Sequence, residues 1–273
     1  MQKLGHLTVL NFDKCKFLTK IPDVSDLPNL RELSFRWCES LVAVDDSIGF
    51  LNKLKKLSAD GCRKLTRFPP LNLTSLETLE LSQCSSLEYF PEILGEMENK
   101  QRLELHGLPI KELPFSFKNL IGLRLLFLRW CGIVQLRSSL SMMREQFQFN
   151  IENCNRWQWV ESEEAEEKVG SIPSSKGHMF SAVNCNLCDD FFLTGSRRLT
   201  HVEVLNLSGN NFTILPEFLK ELQFLKFLDV SHCEHLQEIR GIPPNLRIFH
   251  AINCVSLTSS STSMFLNQVL SFL

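Results

Sequence analysis

Leu79-Glu80-Leu81-Ser82-Gln83-Cys84-Ser85-Ser86-Leu87-Glu88-Tyr89-Phe90-Pro91 carries the plan of the whole chain. Two apolar residues alternate with polar ones, a Cys stands three positions after the second, another apolar residue follows, and an apolar-Pro pair closes the phrase. Side chains along a strand point to opposite faces, so Leu79 and Leu81 are expected to point inward together, with Thr78, Glu80 and Ser82 outward. One such strand cannot bury its apolar side alone. The phrase calls for stacked neighbours.

The neighbours are there. Apolar-x-apolar-x-x-Cys recurs roughly every 23 residues through Leu10/Phe12/Cys15, Leu33/Phe35/Cys38, Leu57/Ala59/Cys62 and Leu79/Leu81/Cys84. It continues through Leu126/Leu128/Cys131, Phe149/Ile151/Cys154, Phe180/Ala182/Cys185, Leu228/Val230/Cys233 and Phe249/Ala251/Cys254. Two further copies lack the thiol: Leu103/Leu105 puts Leu108 in the slot, and Leu205/Leu207 puts Asn210 there. A period of roughly 20 to 29 residues, one short strand plus a turn per unit, is the signature of a leucine-rich repeat. The predicted fold is therefore an α/β leucine-rich repeat solenoid, a horseshoe of about eleven repeats. Its parallel sheet lines the concave face, with turns, 3-10 or short helices on the convex face.

The slot after each strand needs a small side chain that tolerates burial and can serve the turn's backbone. Asn does this by hydrogen bonding and free Cys as a compact, weakly polar hydrophobe. Cys15, Cys38, Cys62, Cys84, Cys131, Cys154, Cys185, Asn210, Cys233 and Cys254 thus form an expected structural ladder. Five units carry an apolar-Pro pair after it: Ile21-Pro22, Phe68-Pro69, Phe90-Pro91, Leu113-Pro114 and Leu215-Pro216. Proline removes a donor and disfavours helix before it, so these segments should be extended or turn-like on the outer side.

The repeats assign residues 1–257 to one solenoid, interrupted by an irregular acidic insertion at about 155–178. Residues 258–273 form a Ser/Thr-rich tail ending in a short apolar segment suited to covering the last layer. Repeat arrays need polar caps, and the first strand phrase begins within ten residues of Met1. The expectation is an N-terminal edge that abuts another domain, in a fragment or shortened product.

A net charge of −2 with mixed signs gives no bulk electrostatic argument for a nucleic-acid or membrane partner. No secretory signal and no apolar run of membrane-spanning length is present. Thiols repeating at one slot on successive coils read as reduced core residues, which suits a cytoplasmic or nuclear protein. Cys185-x-x-Cys188 is a weak zinc cue with His178 and Cys154 as the nearest further donors, so no metal is expected. There is no G-x-S-x-G, H-E-x-x-H or glycine-rich phosphate cradle, so neither a cofactor nor catalysis is expected.

Outward positions of the sheet are the candidate protein-contact residues: Arg36, Trp37, Glu80, Glu104, His106, Phe127, Arg129, Trp130, Asp229, Ser231 and His250. Arg and Trp are enriched in interface hot spots, and the triplet Arg-Trp-Cys occurs twice, at 36–38 and 129–131. Either Trp can instead fold over its turn and shield the core. Glu80 and Glu104 imitate a catalytic carboxylate pair, but read more simply as solvated charge on the sheet.

Phrases such as Leu205-Asn206-Leu207-Ser208-Gly209-Asn210-Asn211-Phe212, Leu215-Pro216-Glu217 and Leu228-Asp229-Val230-Ser231-His232-Cys233 are similar to the repeats of plant TIR, nucleotide-binding, leucine-rich repeat disease-resistance proteins. Ile239-Arg240-Gly241-Ile242-Pro243-Pro244-Asn245-Leu246 extends the resemblance. It implies a non-enzymatic module that recognises a pathogen effector or an altered host protein and contacts the adjoining nucleotide-binding domain to hold the receptor inactive. The TIR domain and the phosphate-loop motif G-x-x-x-x-G-K-[ST] are absent from this chain, so neither NAD cleavage nor nucleotide binding carries over. The alternatives are an extracellular receptor ectodomain, suggested by sequons at Asn72, Asn206 and Asn211, and a general repeat adaptor without an immune role.

Overall fold

The computed structural model describes residues 4–99, 101–133, 135–137, 147–155, 157–160, 178–195, 199–259 and 261. Eleven strands form one parallel sheet in chain order. They are β1 (Val9–Asn11), β2 (Glu32–Ser34), β3 (Lys56–Ser58), β4 (Thr78–Glu80), β5 (Gln101–His106) and β6 (Leu123–Arg129). The rest are β7 (Gln148–Glu152), β8 (His178–Val183), β9 (Val202–Asn206), β10 (Phe227–Asp229) and β11 (Ile248–His250). Each strand belongs to one coil of the solenoid and takes its number.

Register follows the repeat phrase. Leu33 lies beside Leu57, Leu57 beside Leu79, and Leu79 beside Leu103, so inward side chains stack into files. Leu33, Phe35, Leu57, Ala59, Leu126, Leu128, Leu205 and Leu207 are fully buried. Burying a side chain of this size contributes roughly 1.5 to 3 kcal/mol against exposure. Because each coil touches only its neighbours, the two end coils obtain about half of that: Leu10, Phe12, Phe249 and Ala251 are only partly buried.

The outer side is extended and turn-like, as the apolar-Pro pairs lead one to expect. Among the described residues, 3-10 helices lie on it at Asp46–Phe50, Phe115–Asn119 and Glu217–Glu221. Asp45 caps the first through the Ser47 N–H, and Pro114 and Pro216 hold the extended backbone that precedes the other two. Short strand pairs flank them, Lys20–Ile21 with Ala43–Val44 and Ile214–Leu215 with Glu238–Ile239.

The longest interval between adjacent ladder slots, 31 residues from Cys154 to Cys185, coincides with a different kind of packing. Phe149, Trp157, Phe180, Phe191, Phe192 and Phe212 form a run of ring contacts with centroids 5.2 to 6.4 Å apart, bridging coils 7 to 9. A short helix, α1 (Asp190–Gly195), supplies two of these rings. The expected acidic loop lies outside the described residues over 161–177, as does the expected apolar cover over 262–273.

Candidate functional site

Each strand ends in one turn. The residue just before the ladder slot has a left-handed backbone on all eleven coils: Lys14, Trp37, Gly61, Gln83, Gly107, Trp130, Asn153, Asn184, Gly209, His232 and Asn253, with φ between 52° and 74°. That conformation is uncommon outside Gly and Asn. It persists because it aims the backbone N–H at the following coil, as in Trp37 N–H to Asp60 O at 2.7 Å and Gly61 N–H to Ser82 O at 2.8 Å. The signal for it was present in the sequence, since six of the eleven positions are Gly or Asn.

The slot side chain then ties its coil to the one before. Cys38 Sγ donates to Phe12 O (3.1 Å), Cys62 to Phe35 O (3.1 Å), Cys84 to Ala59 O (3.2 Å), Cys131 to Leu105 O (3.3 Å), Cys233 to Leu207 O (3.3 Å) and Cys254 to Val230 O (3.2 Å). Asn210 does the same more strongly. Its amide nitrogen donates to Ala182 O and Leu207 O, both at 2.7 Å, and its Oδ1 accepts from Cys185 N–H and Leu187 N–H at 3.1 and 3.0 Å. Cys154 Sγ accepts the Cys131 N–H at 3.2 Å, which is the same acceptor role. Burial pushes the Cys62, Cys84 and Cys233 thiols up to about 12.

Two members depart from the expected ladder. Cys15 is exposed and Cys254 half-buried, because each lies on an end coil with a neighbour on one side only. All ten cysteines are unpaired; Cys188, outside the ladder, is exposed. Among the described residues no group of three or more His, Cys, Asp or Glu side chains gathers where a metal ion would sit, and none of their helices is long and apolar enough to cross a membrane.

The displayed face is built from three outward files. Glu80, Glu104, Phe127, Asp229 and His250 lie in the central file, with Glu80 beside Glu104 and Glu104 beside Phe127. Arg36, His106, Arg129 and Ser231 lie two residues further along, and Trp37 and Trp130 sit at the turns. Most charges are paired between rungs or along the strand: Lys56 Nζ to Glu80 Oε1 (3.4 Å), Arg102 Nη2 to Glu104 Oε1 (2.5 Å) and Arg129 Nη2 to Glu152 Oε2 (2.6 Å). The Arg129 guanidinium also lies 5.0 Å from the Phe127 ring centroid. This brings Phe127 and Arg129 together, and Trp130, the next residue in the chain, is 59% exposed at the turn. His250 stands 3.9 Å from Asp229 and edge-on to Phe227.

Ser231 corrects the contact set. It is buried, and its Oγ accepts the Ile252 N–H at 3.2 Å, so the turn of the last coil occupies it. Trp37 divides between the two roles considered for it: the ring lies over the Gly61 turn, where a Cβ would come within 2.4 Å of its Cε3, yet the residue remains 39% exposed.

The outer file toward the strand starts was missed by sequence reasoning. On coils 2, 3 and 5 it carries Glu32, Lys56 and Arg102, whereas on coils 8 to 11 Met179, Val204, Phe227 and Ile248 lie side by side in register. This file is therefore charged on coils 2, 3 and 5 and apolar on coils 8 to 11. Comparing outward positions across units, instead of within one unit, would have found this.

A family model described as the leucine-rich repeats of RPS4B-like disease resistance proteins matches residues 72–269. TMV resistance protein N of Nicotiana glutinosa is 28% identical over 301 aligned residues, 92% of this chain and 26% of its own length. Disease resistance protein RPP4 of Arabidopsis thaliana is 37% identical over 94% of this chain and 18% of its own length. The chain thus spans roughly a fifth to a quarter of the curated relatives it matches. The leucine-rich repeat domain of the type III effector XopL superposes with a TM-score of 0.59 at 17% identity, over 89% of this chain and 76% of that one, a likeness of fold.

Proposed function

This chain belongs to the leucine-rich repeats of RPS4B-like disease resistance proteins, and on that premise we propose that it is the protein-recognition module of an intracellular plant immune receptor. The partner is a pathogen effector or a host protein that an effector has altered, and the adjoining nucleotide-binding domain of a full-length receptor is a second contact that restrains signalling. The module is non-enzymatic and works in the cytoplasm or nucleus, where buried unpaired thiols persist. Residues 1–257 act as the solenoid and 258–273 as its tail and cover.

One observation carries this reading: a continuous eleven-stranded sheet displays side chains that change in charge, polarity and size along its length over an interior that stays apolar. Variation confined to one face is what a recognition surface needs. Proximity labelling in plant tissue, with and without pathogen challenge, tests it. A partner enriched by the chain should be lost when Phe127→Asp and Arg129→Glu alter the displayed face, and kept when Lys220→Ala alters the outer side. A partner whose enrichment ignores the displayed-face substitutions would refute the proposal.

A further inference from the structure

Asp13 and Asp60 occupy the same place on coils 1 and 3, two residues beyond the central file, and the structure treats them differently. Both carboxylates accept a backbone N–H from the next coil: Arg36 N to Asp13 Oδ1 at 2.8 Å, and Ser82 N to Asp60 Oδ1 at 2.7 Å. Asp13 also receives the Arg36 guanidinium through Nε and Nη2, at 3.2 and 3.0 Å, and the Ser34 hydroxyl. Coil 4 has Ser82 where coil 2 has Arg36, and Ser82 turns its hydroxyl to Glu104 O at 3.3 Å. Among the described residues no cation comes within ion-pair distance of Asp60. The same file makes a guanidinium–carboxylate pair again at Arg129 and Glu152, so Asp60 is the exception to a local pattern.

The surroundings of Asp60 are unsatisfied in a consistent direction. Glu80 uses Oε1 for Lys56, while its Oε2 is buried without a hydrogen-bond partner. Ser58, the register neighbour of Glu80 in the outward file, is fully buried with its Oγ unpartnered. The Trp37 backbone N–H donates to the Asp60 backbone carbonyl, and the partly exposed Trp37 ring lies over Gly61, the residue after Asp60. Burial, and then the charge of Glu80, raise the Asp60 carboxyl above its ordinary value despite the Ser82 N–H and the more distant Arg36 and Lys56 charges. Arg36 is committed to Asp13, and Lys56 reaches only Glu80.

Asp60 lacks a cation, and the partly exposed indole lies one residue along the chain. The unpartnered Ser58 Oγ and Glu80 Oε2 beside Asp60 are closed to solvent, so a planar cation entering this socket meets Asp60 first and reaches the covered oxygens as side chains shift. A guanidinium donates through a rigid fork that matches carboxylates and stacks on aromatic faces, which a lysine ammonium does less well. We propose that Trp37, Ser58, Asp60 and Glu80 receive an arginine side chain from the protein partner bound on the concave face. This rests on the recognition reading above and names one anchor of that partner.

The test is an NMR titration of the 273-residue chain with Nα-acetyl-arginine amide and with its neutral isostere Nα-acetyl-citrulline amide, following the Trp37 indole N–H and the Gly61 amide. Arginine amide should shift both resonances saturably, and citrulline amide should bind at least about tenfold more weakly. Asp60→Asn and Glu80→Gln should each weaken arginine binding about tenfold or more, while Asp13→Asn leaves it within about twofold. Equal binding of the two amides to the wild-type chain would overturn the proposal, and that comparison decides even where a variant folds poorly. Failure here is separable from failure of the recognition reading. A partner lost on displayed-face substitution with no arginine preference at the socket removes only the socket; arginine binding alongside a partner indifferent to that face removes the recognition reading and with it the partner as the source of the arginine, leaving only the socket's preference for a guanidinium.

Discussion

The interior of the solenoid and the face it displays are made by the same strands and follow opposite rules. Inside, coil after coil repeats one solution: an apolar pair, a left-handed turn and, wherever the slot holds Cys or Asn on coils 2 to 11, a side chain that serves the backbone of a neighbouring coil. Outside, the central file runs through Ser, Glu, Phe, Asp and His with no residue type common to all rungs. The difference follows from surroundings. Every interior position meets the same neighbour one rung away, so packing dictates its identity, whereas an outward position meets solvent and is left for binding to specify.

The sharpest break between the two regions should be in thiol chemistry. The thiolate is the reactive species, and a group at about 12 holds roughly a thousandfold less of it at pH 8 than an ordinary thiol near 8.5. Iodoacetamide at pH 8 should therefore label exposed Cys15 and Cys188 on the native chain first. Cys62, Cys84 and Cys233 should lag by about three orders of magnitude until the fold opens, as read by peptide mass spectrometry. Labelling of all five at similar rates would mean that the interior file is not closed.

A second test asks whether the interior solution is really one solution. Asn210→Ala strands the Cys185 and Leu187 N–H groups and the Ala182 and Leu207 carbonyls in a buried site. It should destabilise by about 2 to 3 kcal/mol in a denaturant titration. Asn210→Cys should cost less than half as much, because Cys154 already shows a thiol accepting the equivalent N–H. If the two substitutions are equally damaging, Asn and Cys are not equivalent in the slot.

How much of this was legible in the sequence divides along the same line. Leu79, Leu81 and Cys84 announce themselves because the period fixes their neighbours, and the eleven units read from the sequence are the eleven strands of the sheet. Cys15 and Cys254 belong to the phrase but not to the closed interior; the phrase does not record that an end coil has one neighbour. Ser231 reads as displayed by position, but the Ile252 turn claims its hydroxyl, a relation between coils that no single unit contains. The apolar file of Met179, Val204, Phe227 and Ile248 was hidden for the same reason. Asp13 and Asp60 hold the same position in the repeat phrase, and the residue one coil later, Arg36 or Ser82, sets their pairing apart.

The smallest effect sharpens that last contrast. Burial opposes ionisation of Asp13, but the Ser34 hydroxyl, the Arg36 N–H and the Arg36 guanidinium outweigh it and hold the carboxyl below its ordinary value. A folded value depressed below the unfolded one adds stability above the unfolded pKa, and that stability is lost as pH falls through the folded pKa. Asp60 has the opposite sign: burial raises it, so ionisation weakens the fold at neutral pH and the penalty is relieved as pH falls through the raised value. Asp13→Asn should thus destabilise by about 1 kcal/mol at pH 7, once solvent screening of the half-exposed Arg36 is allowed for, with the difference shrinking in acid. Asp60→Asn should be neutral or stabilise by up to about 1 kcal/mol at pH 7, because the amide still accepts the Ser82 N–H without the buried charge. Denaturant midpoints of the two variants at pH 7 and pH 4 decide it: parallel losses at pH 7 would place Asp60 in the same finished pairing as Asp13, and opposite signs would mark it as the rung held back from the packing rule.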